Sequence, residues 1–359
     1  MVRKPIMYGL ILVSIALLSA AGVTACTTFV IRDGDRAVFG KNLDWFADPG
    51  LVIVNQRGLL KEALAGREGE AARWASKYGS VTFNQAGKEL PLGGVNEAGL
   101  VVETMWLDTT RYPEPDARPR VIETQWVQYQ LDNHSTVAEV ITSDSLVRIS
   151  PTSVPTHFLI LDGAGDVAVV EFLEGKMVSY AGDDVYFEVL TNSEYSGSAG
   201  CFMRGGLTGG NTSLQRFVDA TAMVRDFEGG EGDTIIDYSF KILEKVAAEV
   251  TPEHFTRWSI VYDFSGGRIY FRTHTSPSVK HIDIADLDFT CGARRVALDI
   301  HTKEPGRVNE RMVDYTAALN RELILETFEI YRNNEFLDVS TEDLIDLSNY
   351  PDEFSCVEE

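Results

Sequence analysis

An almost uninterrupted apolar run, Ile6 to Leu18, follows Arg3 and Lys4 and gives way to Val23-Thr24-Ala25 just ahead of Cys26. A basic start, a short apolar core and small residues before a cut are the layout of a secretory signal peptide, and the run is short for a membrane span. Residues 1–25 are therefore expected to leave, and residues 26–359 to form a single domain with a C-terminal helical extension, exported to the periplasm. Any fold this chain adopts is then expected to start at Cys26. No later stretch approaches the roughly 18 apolar residues of a transmembrane helix.

The chain carries a formal charge of -22, and such a surface repels phosphate backbones, which excludes nucleic acid as the expected partner. The six histidines lack the close pairing of a zinc site, there is no Cys-x-x-Cys, and no glycine-rich phosphate loop is present, so no metal and no cofactor are expected. The acidic pairs near Asp33 and Asp183 lack the full spacing of a calcium loop. Four cysteines, at 26, 201, 291 and 356, are too few for a disulfide scaffold. If Cys26 stays free, at least one of the other three is unpaired; Cys291–Cys356 is one candidate bridge, and the sequence does not choose.

Short strand signals dominate the first half. Thr27 to Ile31 and Ala37 to Phe39 flank Asp33-Gly34-Asp35 and read as a hairpin. Leu51 to Val54, Ser80 to Phe83 and Leu100 to Leu107 read as strands, and Gly58 to Arg73 as a partly helical surface excursion. Helical spacing runs from Val121 to Ile141, with a break near Asp132-Asn133 and a restart capped by Ser135. Phe158 to Leu161 with Val167 to Phe172, and Ile260 to Phe264 with Arg268 to Thr273, are further hairpins. Val185 to Thr191 reads as a strand. Ser213 to Phe227 and Thr234 to Val250 are amphipathic helices on either side of Gly229-Gly230-Glu231-Gly232, and Val308 to Arg332 is one long helix. Strands, helices, then strands without a composition break predict one α+β domain.

A cysteine at a cleavage point offers a thiol and an α-amine within one residue. Their ordinary pKa values, about 8.5 and roughly 7.7–8.0, let the amine serve as base near neutral pH. Val-Thr-Ala-Cys equally fits a lipoprotein signal, in which Cys26 would be lipidated and its amine blocked; the leader alone does not decide between the two.

Cys26-Thr27-Thr28-Phe29, followed by Phe39-Gly40-Lys41-Asn42-Leu43-Asp44-Trp45, resembles the start of the choloylglycine hydrolase family, which holds penicillin V acylases and bile salt hydrolases. The likeness recurs in order at Gly94 to Leu100, His157 to Ile160 with Asp162, Leu190-Thr191-Asn192-Ser193, Asn211 to Phe217, Trp258 to Asp263 and Tyr270 to Thr273. The resemblance implies a four-layer αββα sandwich of the N-terminal nucleophile type that hydrolyses linear amides. It makes Cys26 the nucleophile and its amine the base, with Asp44 holding that amine by a hydrogen bond. It aims the Asn192 side chain at the oxyanion and sets Arg216 beside the thiol, favouring thiolate. Lys41 stands where much of the family has arginine, so the planar fork is lost. Trp106 falls where the backbone N–H supplies a second oxyanion donor, and its indole, with Trp45, would wall the acyl pocket. Tryptophan at both positions resembles the Gram-negative penicillin V acylases, some of which also accept N-acyl homoserine lactones and thus quench quorum signals. The implied partner is a small amide with an apolar or aromatic acyl group. Conjugated bile salts are the alternative substrate, a homotetramer is a candidate assembly, and a lipid-anchored binding protein with a blocked Cys26 is the rival of another class.

Overall fold

The computed structural model describes residues 26–64, 69–150, 154–206, 212–229, 234–248 and 255–357. The leader, Asn211, most of the glycine-rich turn and residues 249–250 lie outside the described residues, and the helix expected to reach Val250 stops at Lys245. Seven helices are described: α1 (Glu123–Asn133), α2 (Val137–Thr142), α3 (Tyr195–Met203), α4 (Ser213–Asp226), α5 (Ile235–Lys245), α6 (Ala317–Asn333) and α7 (Thr341–Asn349). No helix among the described residues is long and apolar enough to cross a membrane.

Two large sheets stack face to face. The seven-stranded sheet runs in the order Val189–Leu190, Thr27–Asp33, Arg36–Trp45, Phe255–Asp263, Arg268–Thr273, Lys280–Asp283, Gly306–Arg307. The nine-stranded sheet has the central order Thr156–Leu161, Val101–Trp106, Pro91–Asn96, Ser80–Asn84, Leu51–Asn55. Helices α4 and α5 cover the first sheet and α1 and α2 the second, which completes the αββα sandwich expected above. Edge-on aromatic pairs fill the space between the sheets, Phe39 against Tyr262 and Phe83 against Tyr262 and Phe271, with centroids 5.9 to 6.0 Å apart.

The first hairpin closes where the turn signal placed it: Asp33 pairs with Arg36, and Gly34 takes φ +59°, a left-handed conformation that a side chain would strain. Strand Arg36–Trp45 then sorts its side chains by the period of two. Phe39 and Lys41 enter the space between the sheets, whereas Asn42 donates to the Leu243 carbonyl of α5 (2.7 Å) on the helix side.

Four local readings change. Gly58 to Arg73 holds no helix among its described residues. Leu59–Glu62 instead pairs with Arg73–Ala75 and with Ser355–Cys356 from the far end of the chain, a long-range pairing with no local signature. The helix expected from Val308 starts at Ala317, capped by the Thr316 hydroxyl, because the preceding Val313–Asp314 pairs with Val296–Asp299. The cap of α2 is Thr136, one residue beyond Ser135, in a reciprocal arrangement with Glu139. Of Val185 to Thr191, only Val189–Leu190 is a strand. A disulfide joins Cys291 to Cys356 and leaves Cys26 and Cys201 as free, buried thiols.

Candidate active site

Cys26 sits at the start of the central hairpin, 4% exposed, with its Sγ 3.9 Å from the Asp44 carbonyl oxygen. Burial pushes the thiol above its ordinary pKa; Lys41 and Arg216 pull it down, and Asp44 raises it further. Arg216 therefore acts in the expected direction, but desolvation outweighs it. The resting group is the thiol, so any nucleophilic role for Cys26 would require a base to take its proton.

Asp44 lies inside the second strand of that hairpin and is wholly buried. Thr256 donates to its Oδ1, while Oδ2 is buried without a hydrogen-bond partner. Burial pushes its carboxyl up to about 6, against opposing pulls from the Thr256 hydrogen bond, Arg216 and Lys41. A buried carboxylate oxygen left unpaired costs free energy. The Asp44 carboxylate is near enough to Cys26 to raise the pKa of its thiol through space.

On the other side of the thiol, Arg216 projects from the first turn of α4 and is 2% exposed. Its Nε donates to the Thr27 hydroxyl (3.3 Å) and its Nη2 to Asn192 Oδ1 (2.9 Å). Holding that oxygen fixes the orientation of the Asn192 amide, whose Nδ2 donates to the Trp106 carbonyl (2.9 Å). Each amide nitrogen has two hydrogens, so Asn192 keeps a second N–H for a ligand. The loop before it is pinned by His157, whose Nε2 donates to the Thr191 carbonyl (2.6 Å) and whose Nδ1 lies 3.0 Å from Glu171.

The edge of strand Val101–Trp106 explains why Lys41 and Asn192 find carbonyls to bond. Strand Pro91–Asn96 pairs with it only as far as Gly93↔Glu103. In an antiparallel ladder alternate residues address opposite neighbours, and Leu107 donates to Pro155 on the other edge. Thr104 and Trp106 thus present their backbone groups past the end of the neighbouring strand. The Thr104 carbonyl accepts from Lys41, the Trp106 carbonyl from Asn192, and the Trp106 N–H faces the same edge.

Lys41 is 1% exposed and lies 3.6 Å from Glu103, which also accepts from the Tyr262 hydroxyl. Burial pushes Glu103 up to about 7, partly offset by Lys41. A side chain at Gly93 would overlap the Glu103 carboxylate, so this glycine makes room for a buried acid. The ammonium at position 41 thereby works as a compact point charge between the sheets. Glu103 was missed in the sequence, although a lone acid inside Val-Val-Glu-Thr-Met-Trp was a visible irregularity. Thr27 and His157 fall within segments of the family likeness but received no role there, and nothing local marks Thr256 or Glu171.

Trp45 and Trp106 are half-buried with ring centroids 6.0 Å apart. A register shift between Thr256 and Trp258 places Arg257 where its guanidinium donates to the Trp45 and Phe46 carbonyls, both at 2.8 Å. All seven residues singled out in the sequence thus fall in one region: five around the thiol and its hydrogen-bond chain, with the two indoles beside them.

A family model of linear amide C–N hydrolases, the choloylglycine hydrolase family, matches residues 26–297, so its first residue is Cys26. Penicillin V acylase of Pectobacterium atrosepticum is 28% identical over 337 residues, covering 80% of this chain and 88% of that protein. The structure of a penicillin V acylase from Agrobacterium tumefaciens superposes with a TM-score of 0.72 at 27% identity, over 81% of this chain and 98% of the other. A variant of a conjugated bile acid hydrolase from Clostridium perfringens shares the fold, with a TM-score of 0.65 at 18% identity over 78% and 98% of the two chains.

Proposed function

The chain belongs to the choloylglycine hydrolase family of linear amide C–N hydrolases, and on that premise we propose that its mature form cleaves amides through an acyl-thioester on an N-terminal Cys26. The observation that carries this reading is the unpaired, buried Asp44 Oδ2 beside a protonated thiol. Removal of residues 1–25 supplies the amine that this oxygen lacks.

In this mechanism the Cys26 amine takes the thiol proton as Sγ attacks the acyl carbon. The carbonyl oxygen gains the negative charge and accepts from the second Asn192 N–H and the Trp106 N–H. The amine returns its proton to the leaving nitrogen, the C–N bond breaks, and the free amine product departs. Water then attacks the thioester and loses a proton to the α-amine. Collapse breaks the C–S bond, regenerates the thiol and releases the carboxylic acid. Asp44 supports the ammonium form of the base throughout, and Arg216 acts by holding Asn192 in place.

The acyl group is apolar or aromatic, as in phenoxyacetyl of penicillin V or the fatty chain of an acyl homoserine lactone. Support for that choice comes from the tryptophans at 45 and 106. Export follows from the leader, and with it a periplasmic location and loss of residues 1–25.

The test compares the mature chain, Cys26→Ala, and a chain that keeps Ala25 ahead of an intact Cys26. Both altered chains should fold and lose activity on penicillin V by at least about 10³-fold, since the second converts only the amine to a non-basic amide. Full activity with Ala25 retained would mean that another base drives the reaction.

A further inference from the structure

Helix α6 ends in a specific way. Glu335 takes φ +53°, its N–H donates to the Arg332 carbonyl (3.0 Å), and the N–H of Phe336 donates to the Tyr331 carbonyl (2.9 Å). These are the two bonds of a Schellman termination, with Glu335 at the left-handed position where glycine is usual. The matching apolar contact is present too, Phe336 edge-on to Tyr331 at 5.1 Å. The backbone at Phe336 is therefore fixed, and its ring packs between Tyr331 of its own helix and the aromatics beside the thiol. It stands edge-on to Trp45 at 5.3 Å and to Phe46 at 5.4 Å, and tilted against Trp106 at 6.1 Å.

This ring lies beyond residue 297, where the family match ends, yet it touches both indoles that flank the catalytic groups. Trp45 directly follows Asp44, and the Trp106 carbonyl holds Asn192, so the three rings begin one residue and one hydrogen bond from the chemistry. We propose that Phe336 is the third wall of the acyl site and selects compact aromatic acyl groups over extended aliphatic ones. This rests on the amide-hydrolase reading above.

The selection follows from ring geometry. An aryl acyl group entering beside the indoles gains edge-to-face contact with a ring already locked in place, at little entropic cost. An aliphatic chain gains no such quadrupole term, and its distal carbons need the space that Phe336 fills.

The experiment uses the mature protein with penicillin V and N-decanoyl homoserine lactone, together with phenoxyacetate binding followed by tryptophan fluorescence. In Phe336→Ala, KM for the phenoxyacetyl substrate should rise about tenfold, that for the decanoyl substrate should not rise, and phenoxyacetate binding should weaken about tenfold. Phe336→Leu keeps apolar volume without the ring edge and carries the same test if the alanine variant does not fold. Glu335→Gly should keep wild-type selectivity, because glycine takes the same φ. Glu335→Pro cannot take that φ and lacks the N–H, so it should reproduce Phe336→Ala with the ring still present. Equal losses on both substrates, or unchanged phenoxyacetate binding in the Phe336 variants, would overturn the proposal. If the unaltered protein cuts neither amide, the hydrolase reading fails, and phenoxyacetate binding alone then decides the wall in either direction.

Discussion

Two groups of buried charges in this molecule share no ion pair, and they are built to different rules. In the first, Lys61 reaches Glu89 at 2.7 Å and Asp132 at 2.9 Å, and the Trp74 indole N–H donates to Asp132 at 2.7 Å. Lys88 adds a second ammonium, 2.9 Å from Asn55 and 3.8 Å from Glu89. Three contacts between cation and anion are direct there, so Coulomb attraction opposes the cost of desolvation, although Glu89 Oε1 itself has no hydrogen-bond partner. In the second, around Cys26, Asp44 Oδ1 accepts from the Thr256 hydroxyl while Oδ2 has no hydrogen-bond partner, and Lys41 stands 3.6 Å from Glu103. The first group ties Leu59–Glu62, α1 and the loop before Pro91 together. On the proposed mechanism, the second would complete its pairing with the Cys26 α-amine and with the charge of the reacting carbonyl.

Breaking the paired group should give the largest effect on folding. Lys61→Met strands two carboxylates in the interior and should cost roughly 3–5 kcal/mol of stability in urea titrations, with kcat on penicillin V retained. A loss of kcat at full stability would show that the two regions are not separate. Asn192→Ala should do the opposite, lowering kcat by about 10²–10³ with the urea midpoint little changed. A kcat within about threefold of wild type would take Asn192 out of the reaction.

The subtlest effect concerns Asp44 in the chain that retains residues 1–25. Its carboxyl rises from the ordinary 3.8 to about 6 on burial, so the native state favours the protonated form. Stability from this group is full below the unfolded value and drains away as pH rises through about 6. Uncut Asp44→Asn should therefore match the uncut wild type near pH 3.5 and exceed it in melting temperature above pH 6. In the mature chain, where the proposed mechanism sets the ammonium against Asp44, the same substitution should lower the melting temperature at pH 7. The same sign in both forms would remove the amine from its place beside Asp44.

The hairpins were legible because Gly and Asp mark their turns and apolar alternation marks their flanks, as at Asp33-Gly34-Asp35. The αββα layering came through the likeness of the Cys26 and Asp44 segments to a known family, since periodicity alone stops at α+β. What escaped is long-range by nature. Ser355–Cys356 finds Leu59 and Leu60 across nearly the whole chain, in a strand too short for any pattern. Lys41 and Glu103 meet between two sheets, 62 positions apart, and neither residue signals the other. Phe336 looks in sequence like any apolar residue after a helix; its backbone is fixed by the φ of Glu335.

The Cys291–Cys356 bridge spans 65 positions and encloses α6, α7 and Phe336 in one covalent ring. Cys26, Asp44, Asn192 and Arg216 all lie outside that ring. If Phe336 walls the acyl site as proposed, variation within the ring would retune which acyl groups are accepted while the proposed machinery of bond breaking is left alone. On that proposal, a library confined to positions 317–349 is the economical place to search for new substrates, since one closed loop of chain carries the specificity and another part the chemistry.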